Sequence, residues 1–188
     1  HVVKEPRTQA EFDRMKGTLK GAWVLIGGKN SGWPIDYSAE GDSLRAAIIA
    51  ENVEIGDGCE IGPNATIYDY VKIGKNCKVF PGAVVGAIPQ DLKFENEVSY
   101  VEIGDNVTIR ECATINRGTK ASGKGKTVIG NNTLVMSYAH VAHDCVVGNN
   151  CILVSYVGIA GETNVDDWAI IGGASAAHQF SNIGTHAM

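Results

Sequence analysis

Three histidines and one aspartate are the residues of this sequence best suited to proton-transfer chemistry. His140, His143 and Asp144 lie in the segment SYAHVAHDC, and His178 lies in AAHQF. An imidazole titrates near neutrality, so it can take a proton from a hydroxyl group or an amine. A carboxylate bound to one ring nitrogen would fix the tautomer, and Asp144 is the nearest candidate. Because adjacent strand residues normally point to opposite faces, this pairing requires a distorted corner in the backbone.

A six-residue repeat runs through most of the chain and must position these side chains. Aliphatic residues recur at every sixth position in three runs, of which Ala177 is the weakest member. The runs are Ile49, Ile55, Ile61, Ile67, Ile73, Val79 and Val85; Ile103, Ile109 and Ile115; and Ile129, Val135, Val141, Val147, Leu153, Ile159, Val165, Ile171, Ala177 and Ile183. A period of six fits neither a helix nor a simple alternating strand. It predicts a solenoid whose coils have several short sides, each pointing one aliphatic side chain inward.

The repeat resembles that of hexapeptide proteins, and this resemblance implies three sides per coil. The predicted fold class is therefore all-β: a left-handed parallel β-helix of about seven coils over residues 48–188. Stacking at 18 residues per coil places His143, Gly161 and Gln179 in one column, with His178 about two coils from His143. Gly161 has no side chain, so a substrate carbonyl could approach its backbone N–H closely. Four cysteines fall in the inner small-residue series and are predicted to be packing residues: Cys59, Cys77, Cys145 and Cys151.

Residues 1–47 contain no hexad and are predicted to form a short mixed N-terminal extension. Thr8 begins a capping-box pattern for a helix, Ala22–Ile26 is a strand candidate, and Ser43 could cap a second helix. The origin of this segment is open: it could cover the first coil or be a fused piece.

The first break in the repeat lies between Val85 and Ile103. The positions that should be aliphatic there are Asp91 and Glu97, so Gly86–Tyr100 is expected to leave the solenoid. Loops that leave a rigid scaffold often carry binding residues.

The second break separates Ile115 from Ile129 by a number of residues that is not a multiple of six. It predicts a protruding loop with the sequence RGTKASGKGK. Basic residues cluster there, namely Arg117, Lys120, Lys124 and Lys126. They predict either a positive site for a phosphate or an acidic partner, or simply a solvated loop.

Composition narrows the function classes. The 188 residues include 16 Lys and Arg against 21 Asp and Glu, a formal net charge of −5, which argues against nucleic-acid binding. No apolar run is long enough for a membrane span, and the N-terminus does not read as a signal peptide. Five cysteines without a CxxC pair argue against a disulfide framework. These features favour a cytoplasmic protein.

Several motifs in order then point to one family. HVAHDC, together with IPQDLKF, TINRGT, DDWAIIGG and HQF, resembles the UDP-N-acetylglucosamine 3-O-acyltransferases of lipid A biosynthesis over about residues 49–188. The resemblance implies transfer of a 3-hydroxyacyl group from acyl carrier protein to the glucosamine 3-hydroxyl. It also implies a homotrimer with active sites between neighbouring prisms. Neither a metal nor a cofactor is implied, apart from the phosphopantetheine arm of the donor.

The resemblance also implies roles for individual residues. His143 would be the general base, Asp144 its orienting carboxylate, and the N–H of Gly161 the oxyanion donor. The substrate cleft would be lined by Gln90, Asp91, Lys93, His140, Glu162, His178 and Gln179. Many relatives carry His where this chain has Glu162. The basic residues of the second break would contact the carrier protein or nucleotide phosphates.

Three alternatives remain open at this point. Relatives continue beyond residue 188 with further coils and a helical domain, so this domain is expected to be truncated at its C-terminus and could be an inactive or fused scaffold. An N-acyltransferase or a CoA-dependent acetyltransferase could use the same prism. A trimeric metalloenzyme resembling the γ-class carbonic anhydrases would need bound zinc, although the spacing of His140 and His143 is not that of the family.

Overall fold

The computed structural model of the protein describes residues 24–26 and 47–188. The helices predicted from Thr8 and Ser43 lie outside these residues. Val24–Ile26 forms a strand within the predicted segment Ala22–Ile26, and it pairs antiparallel with Ala47–Ile49. The strand thus covers the first edge of the solenoid, where an unpaired row of backbone groups would otherwise be exposed.

The described residues form 21 short strands. In chain order they are β1 (Val24–Ile26), β2 (Ala47–Ile49), β3 (Val53–Ile55), β4 (Glu60–Ile61), β5 (Thr66–Ile67), β6 (Val71–Ile73), β7 (Lys78–Val79), β8 (Val84–Ala87), β9 (Tyr100–Ile103), β10 (Thr108–Ile109), β11 (Thr114–Asn116), β12 (Lys126–Ile129), β13 (Leu134–Val135), β14 (His140–Val141), β15 (Val146–Val147), β16 (Ile152–Leu153), β17 (Gly158–Ile159), β18 (Asn164–Val165), β19 (Ile170–Ile171), β20 (Ala176–Ala177) and β21 (Asn182–Ile183).

Three sheets form the three sides of a prism. The eight-stranded sheet runs β1-β2-β5-β8-β11-β14-β17-β20, the seven-stranded sheet runs β3-β6-β9-β12-β15-β18-β21, and the six-stranded sheet runs β4-β7-β10-β13-β16-β19. All neighbours after β1 are parallel, for example β14 with β17 through His140 opposite Gly158. From β2 onward the chain makes six complete coils and begins a seventh. The predicted left-handed parallel β-helix is confirmed.

The core is a single column of aliphatic side chains along the prism axis. Ile67, Val85, Ile115 and Ile159 are fully buried, each at the inward position that the repeat predicts. The inner cysteines are free thiols packed against this column, and burial raises the pKa of Cys77 and of Cys145 to about 11. Such thiols are neutral packing groups.

At one corner of the prism, between the seven-stranded and six-stranded sheets, side-chain hydrogen bonds connect each coil to the next. Asp105, Asn131, Asn149 and Asp167 each accept the backbone N–H of the corresponding turn one coil earlier, at 2.7–2.8 Å. We call this edge the ladder corner. Its polar side chains satisfy backbone donors that the turns leave without partners.

Both breaks in the repeat lie at another corner, between the eight-stranded and seven-stranded sheets. The first excursion comprises residues 88–99, between β8 and β9, and the second comprises residues 117–125, between β11 and β12. We call this edge the excursion corner. The predicted bounds Gly86–Tyr100 were slightly too wide, because β8 continues through Ala87 and Tyr100 already pairs with Lys126.

Candidate active site

A histidine–aspartate pair lies at the excursion corner in the fifth coil. The turn between β14 and β15 carries Asp144 with a φ of 60°, in the left-handed region. This turn brings Nδ1 of His143 to 2.9 Å from Oδ2 of Asp144, although the two residues are adjacent in sequence. Asp144 is fully buried, and His143 is 8% exposed. The predicted contact through a distorted corner is therefore present.

The buried carboxylate of Asp144 receives donors from the second excursion. The backbone N–H of Thr119 donates to both carboxylate oxygens at 3.0 and 2.9 Å, and its hydroxyl donates to Oδ2 at 2.7 Å. A Cβ on the preceding Gly118 would lie only 2.6 Å from Oδ1 of Asp144. The motif TINRGT was part of the resemblance, but Thr119 was not predicted as a site residue. Nothing in the six-residue period places a loop residue against Asp144.

The second ring nitrogen of His143 faces the first excursion. Nε2 lies 3.8 Å from Oδ2 of Asp91, and the other oxygen of Asp91 accepts the backbone N–H of Lys93 at 3.0 Å. Because Nδ1 donates its hydrogen to Asp144, Nε2 carries the lone pair and can accept a proton. The structure thus brings together Asp91, His143 and Asp144. Gln90 and Lys93 lie on the same excursion with exposed side chains.

Gly161 lies one coil further along, against the imidazole of His143. A Cβ at this position would collide with Nε2 and Cε1 of the ring, so the absence of a side chain makes room for the histidine. The packing of His143 against Gly161 thus adds a second reason for glycine at this position, besides the predicted approach of a substrate. Within residues 47–188, the carbonyl of Gly161 accepts the N–H of Phe180 at 3.2 Å, whereas its own N–H has no acceptor. Its role as oxyanion donor stays a prediction.

His140 projects outward from β14 beside this turn. Its Nδ1 lies 2.7 Å from the hydroxyl of Thr114, on the neighbouring strand β11. Burial, and to a lesser degree the charge of His143, lower the pKa of His140. The side chain is therefore a neutral hydrogen-bonding group at neutral pH.

The remaining predicted cleft residues lie at the same corner in later coils. Glu162 has the turn position of Asp144, with a φ of 61°, and its N–H donates to the carbonyl of His143 at 3.0 Å. His178 is exposed, with Nδ1 3.1 Å from the carbonyl of Gln179. All the predicted cleft residues thus lie at or beside the excursion corner. Their roles toward substrate stay predictions.

The two excursions contact each other. The guanidinium of Arg117 lies 5.5 Å from the ring centroids of both Tyr70 and Phe94. A carboxylate oxygen of Glu97 accepts the backbone N–H of Lys120 at 2.8 Å. Arg117 therefore packs the first excursion against the prism, a role different from the predicted contact with a phosphate or a partner protein.

Two lysines of the predicted basic patch also have partners within the protein. Lys126 forms an ion pair of 2.9 Å with Glu102. Lys124 donates from Nζ to the carbonyl of Asp144 at 3.2 Å and to Oδ1 of Asn164 at 3.3 Å. A carrier-protein or phosphate contact at this patch stays a prediction.

Residues 24–26 and 47–188 contain no helix long and apolar enough to cross a membrane. The same residues contain no group of three or more His, Cys, Asp or Glu side chains arranged to hold a metal ion. The Nδ1 atoms of His140 and His143 lie against the hydroxyl of Thr114 and the carboxylate of Asp144.

Comparison with known proteins identifies the repeat. The bacterial transferase hexapeptide model, which describes six repeats, matches residues 52–87 and 126–161. The prism belongs to the hexapeptide-repeat family that includes the UDP-N-acetylglucosamine O-acyltransferases. This agrees with the resemblance found from the motifs.

Relatives within this family cover most of the chain. The acyl-[acyl-carrier-protein]–UDP-N-acetylglucosamine O-acyltransferase of Campylobacter concisus is 41% identical over 151 residues, covering 77% of this chain and 53% of the relative. The enzyme of the same name from Rhizobium rhizogenes is 58% identical over 107 residues, or 57% and 39% of the two chains. The structure of Francisella novicida UDP-N-acetylglucosamine acyltransferase is also similar, with a TM-score of 0.73 and 43% identity over 74% of this chain and 51% of that one. The chain therefore spans about half the length of the relatives it matches.

Proposed function

We propose that this chain is the catalytic prism of an acyltransferase that moves a 3-hydroxyacyl group from acyl carrier protein to the 3-hydroxyl of UDP-N-acetylglucosamine, the first step of lipid A biosynthesis. The observation that carries the proposal is the pair of His143 and Asp144, with Nε2 of the histidine directed at the first excursion. The relatives named for this reaction support the choice of substrates.

The reaction follows from the geometry of the pair. Nε2 of His143 removes the proton of the sugar hydroxyl, while Asp144 stabilises the imidazolium that forms. The sugar oxygen attacks the thioester carbonyl, and the N–H of Gly161 donates to the oxyanion of the tetrahedral intermediate. When the intermediate collapses, the C–S bond breaks and the imidazolium returns its proton to the leaving thiolate. The steps balance without a metal or a cofactor.

The partners follow from the same proposal. Acyl carrier protein brings the donor on its phosphopantetheine arm, and Arg117, Lys120, Lys124 and Lys126 would contact it or the nucleotide phosphates. The working unit would be a cytoplasmic homotrimer with one site between each pair of neighbouring prisms. Asp91, Lys93, His178 and Gln179 would bind substrate from the walls of the cleft.

Mass spectrometry of the reaction products tests this function. The chain is incubated with UDP-N-acetylglucosamine and a mixture of 3-hydroxyacyl carrier proteins of different acyl lengths. A product heavier by one hydroxyacyl group is expected. The rate of product formation should fall by about 10³-fold in His143→Asn, because a general base contributes rate factors of this size.

His143→Asn is a suitable control because asparagine occupies the same turn position at the ladder corner, as in Asn149, so the fold should be kept. Transfer only from acyl-CoA, or only to an amine, would contradict the proposal in favour of another acyltransferase. Binding of UDP-N-acetylglucosamine without turnover by the folded chain would favour a scaffold.

A further inference from the structure

We propose that Thr119 is a positioning residue that orients Asp144 and, through it, the tautomer of His143. The inference rests on the proposed function for its kinetic consequences but not for its structural ones. It assigns the second excursion a part in proton transfer, in addition to any contact with a partner.

The first step in the argument is the burial of Asp144. Its side chain is inaccessible to water, so the charged carboxylate must be satisfied by donors of the protein. Those donors are the N–H and hydroxyl of Thr119 and Nδ1 of His143. Among the described residues, Thr119 thus supplies every donor to the carboxylate except the histidine itself.

The second step concerns one oxygen. Oδ2 of Asp144 accepts both the hydroxyl of Thr119 at 2.7 Å and Nδ1–H of His143 at 2.9 Å. The hydroxyl therefore fixes the rotation of the carboxylate that presents Oδ2 to the imidazole. Because Nδ1 keeps its hydrogen only while that oxygen accepts it, the lone pair on Nε2 depends on Thr119.

The third step is that the same loop also holds the main chain of Asp144. Nζ of Lys124 donates to the carbonyl of Asp144, and the hydroxyl of Thr127, just after the loop, accepts its N–H at 2.8 Å. Ser122 in turn donates from its backbone to the hydroxyl of Thr119 at 3.3 Å. Contacts from the second excursion and from Thr127 therefore hold both the main chain and the side chain of Asp144 in place.

The variant Thr119→Val tests the inference, since it removes the hydroxyl and keeps the shape and the backbone N–H. We expect kcat for acyl transfer to fall about tenfold with little change in KM, the size expected for one hydrogen bond to a charged group. Thr119→Ser, which keeps the hydroxyl, should recover most of the loss.

A readout independent of catalysis is the tautomer of His143, measured by proton–nitrogen NMR correlations through two bonds on chain with labelled histidine. The His143→Asn spectrum identifies the signal. The parent chain should hold the hydrogen on Nδ1, and Thr119→Val should shift the population toward hydrogen on Nε2.

Thr133→Val is the matched control. Thr133 is as buried as Thr119, and its hydroxyl also has its partners within the protein: it faces the carbonyls of Gly148 and Asn131 and accepts the N–H of Cys151, but it makes no hydrogen bond to the aspartate. Thr133→Val should lower the melting temperature about as much as Thr119→Val does, and it should leave the tautomer of His143 unchanged. If Thr119→Val leaves the tautomer as it is, or changes it no more than Thr133→Val does, the inference is overturned. An inactive parent with the expected tautomer shift would contradict the proposed function and not this one.

Discussion

The excursion corner and the ladder corner use the same four-residue turn for different purposes. Asp144 and Asn150 occupy the third position of the turn, with φ values of 60° and 57°. At the second position, Asn149 accepts a backbone N–H from the coil before and donates to Asp167 in the coil after. His143 bonds instead to Asp144 in its own turn and directs its other nitrogen outward. The same backbone therefore supports either stacking or chemistry, depending on where the side chain finds its partner.

The difference arises from what precedes each turn. At the ladder corner the preceding coil supplies the carbonyl of Asn131, which accepts the N–H of Asn150 at 2.8 Å. At the excursion corner the second excursion replaces that turn, so the N–H of Asp144 donates to Thr127 and the carboxylate meets Thr119. A reactive pair forms where the regular stacking is interrupted.

The largest expected effect is on the core that both corners share. Leu153 is fully buried at an inward position, so Leu153→Asp places an unpaired charge in the core and should lower the free energy of unfolding by more than about 4 kcal/mol. Unfolding in denaturant measures this loss of free energy. The neighbouring Ile152 faces outward on the same strand, and Ile152→Asp should cost far less. If Leu153→Asp unfolds at the denaturant concentration of the parent, the inward assignment is wrong.

The next effect breaks the excursion corner alone. In Gly161→Ala the added Cβ must displace the ring of His143, and misplacement of this size reduces kcat by about 100-fold. The free energy of unfolding should fall by about 1–3 kcal/mol, the usual cost of an added methyl group in a packed site, so the chain should stay folded. Gly172→Ala is the control, since its Cβ would meet no atom within 4 Å. Equal rates for both variants would refute the close packing of Gly161 on His143.

The converse variant breaks the ladder corner alone. Asn149→Ala removes hydrogen bonds to Asn131 and Asp167, so we expect the free energy of unfolding to fall by about 1–2 kcal/mol. Thermal unfolding measures the loss, and kcat for acyl transfer should stay at the parent value. A large loss of kcat in a chain that remains folded would show that the two corners are not independent.

The smallest effect concerns the third corner, where Arg110 binds Glu111. The hydrogen bond from Arg110 lowers the pKa of Glu111 to about 2, so its stabilising contribution is complete above the unfolded value of about 4.3 and is lost as the pH falls toward 2. Both side chains are more than a third exposed, so the contribution should be below about 1 kcal/mol. The stability difference between the parent and Glu111→Gln should therefore be present at pH 6 and absent near pH 2. A difference that persists at pH 2 would exclude this ion pair as its source.

The repeat could be predicted from the sequence because every coil of a periodic fold has the same residue type at the same position. Ile67, Val85 and Ile159 are inward as the period requires, and His143 stacks on Gly161 as the 18-residue coil requires. The contacts of Thr119 and Arg117 could not be predicted in this way. Both residues lie on a loop that leaves the period, so their partners depend on three-dimensional packing and not on spacing. From the sequence, the two excursions could be recognised only as interruptions of the six-residue period.

The order of the coils along the prism restricts how the length of this protein can vary. Asp91 and Thr119 lie on excursions of the third and fourth coils, whereas His143 lies on the fifth. A duplication of one whole coil beyond the sixth would preserve every one of these contacts. The same duplication between the fourth and fifth would move the histidine by one strand spacing, about 4.8 Å, and separate it from both excursions. Insertion of a coil beyond the sixth therefore leaves the contacts of His143 intact, whereas insertion between the fourth and fifth coils breaks them.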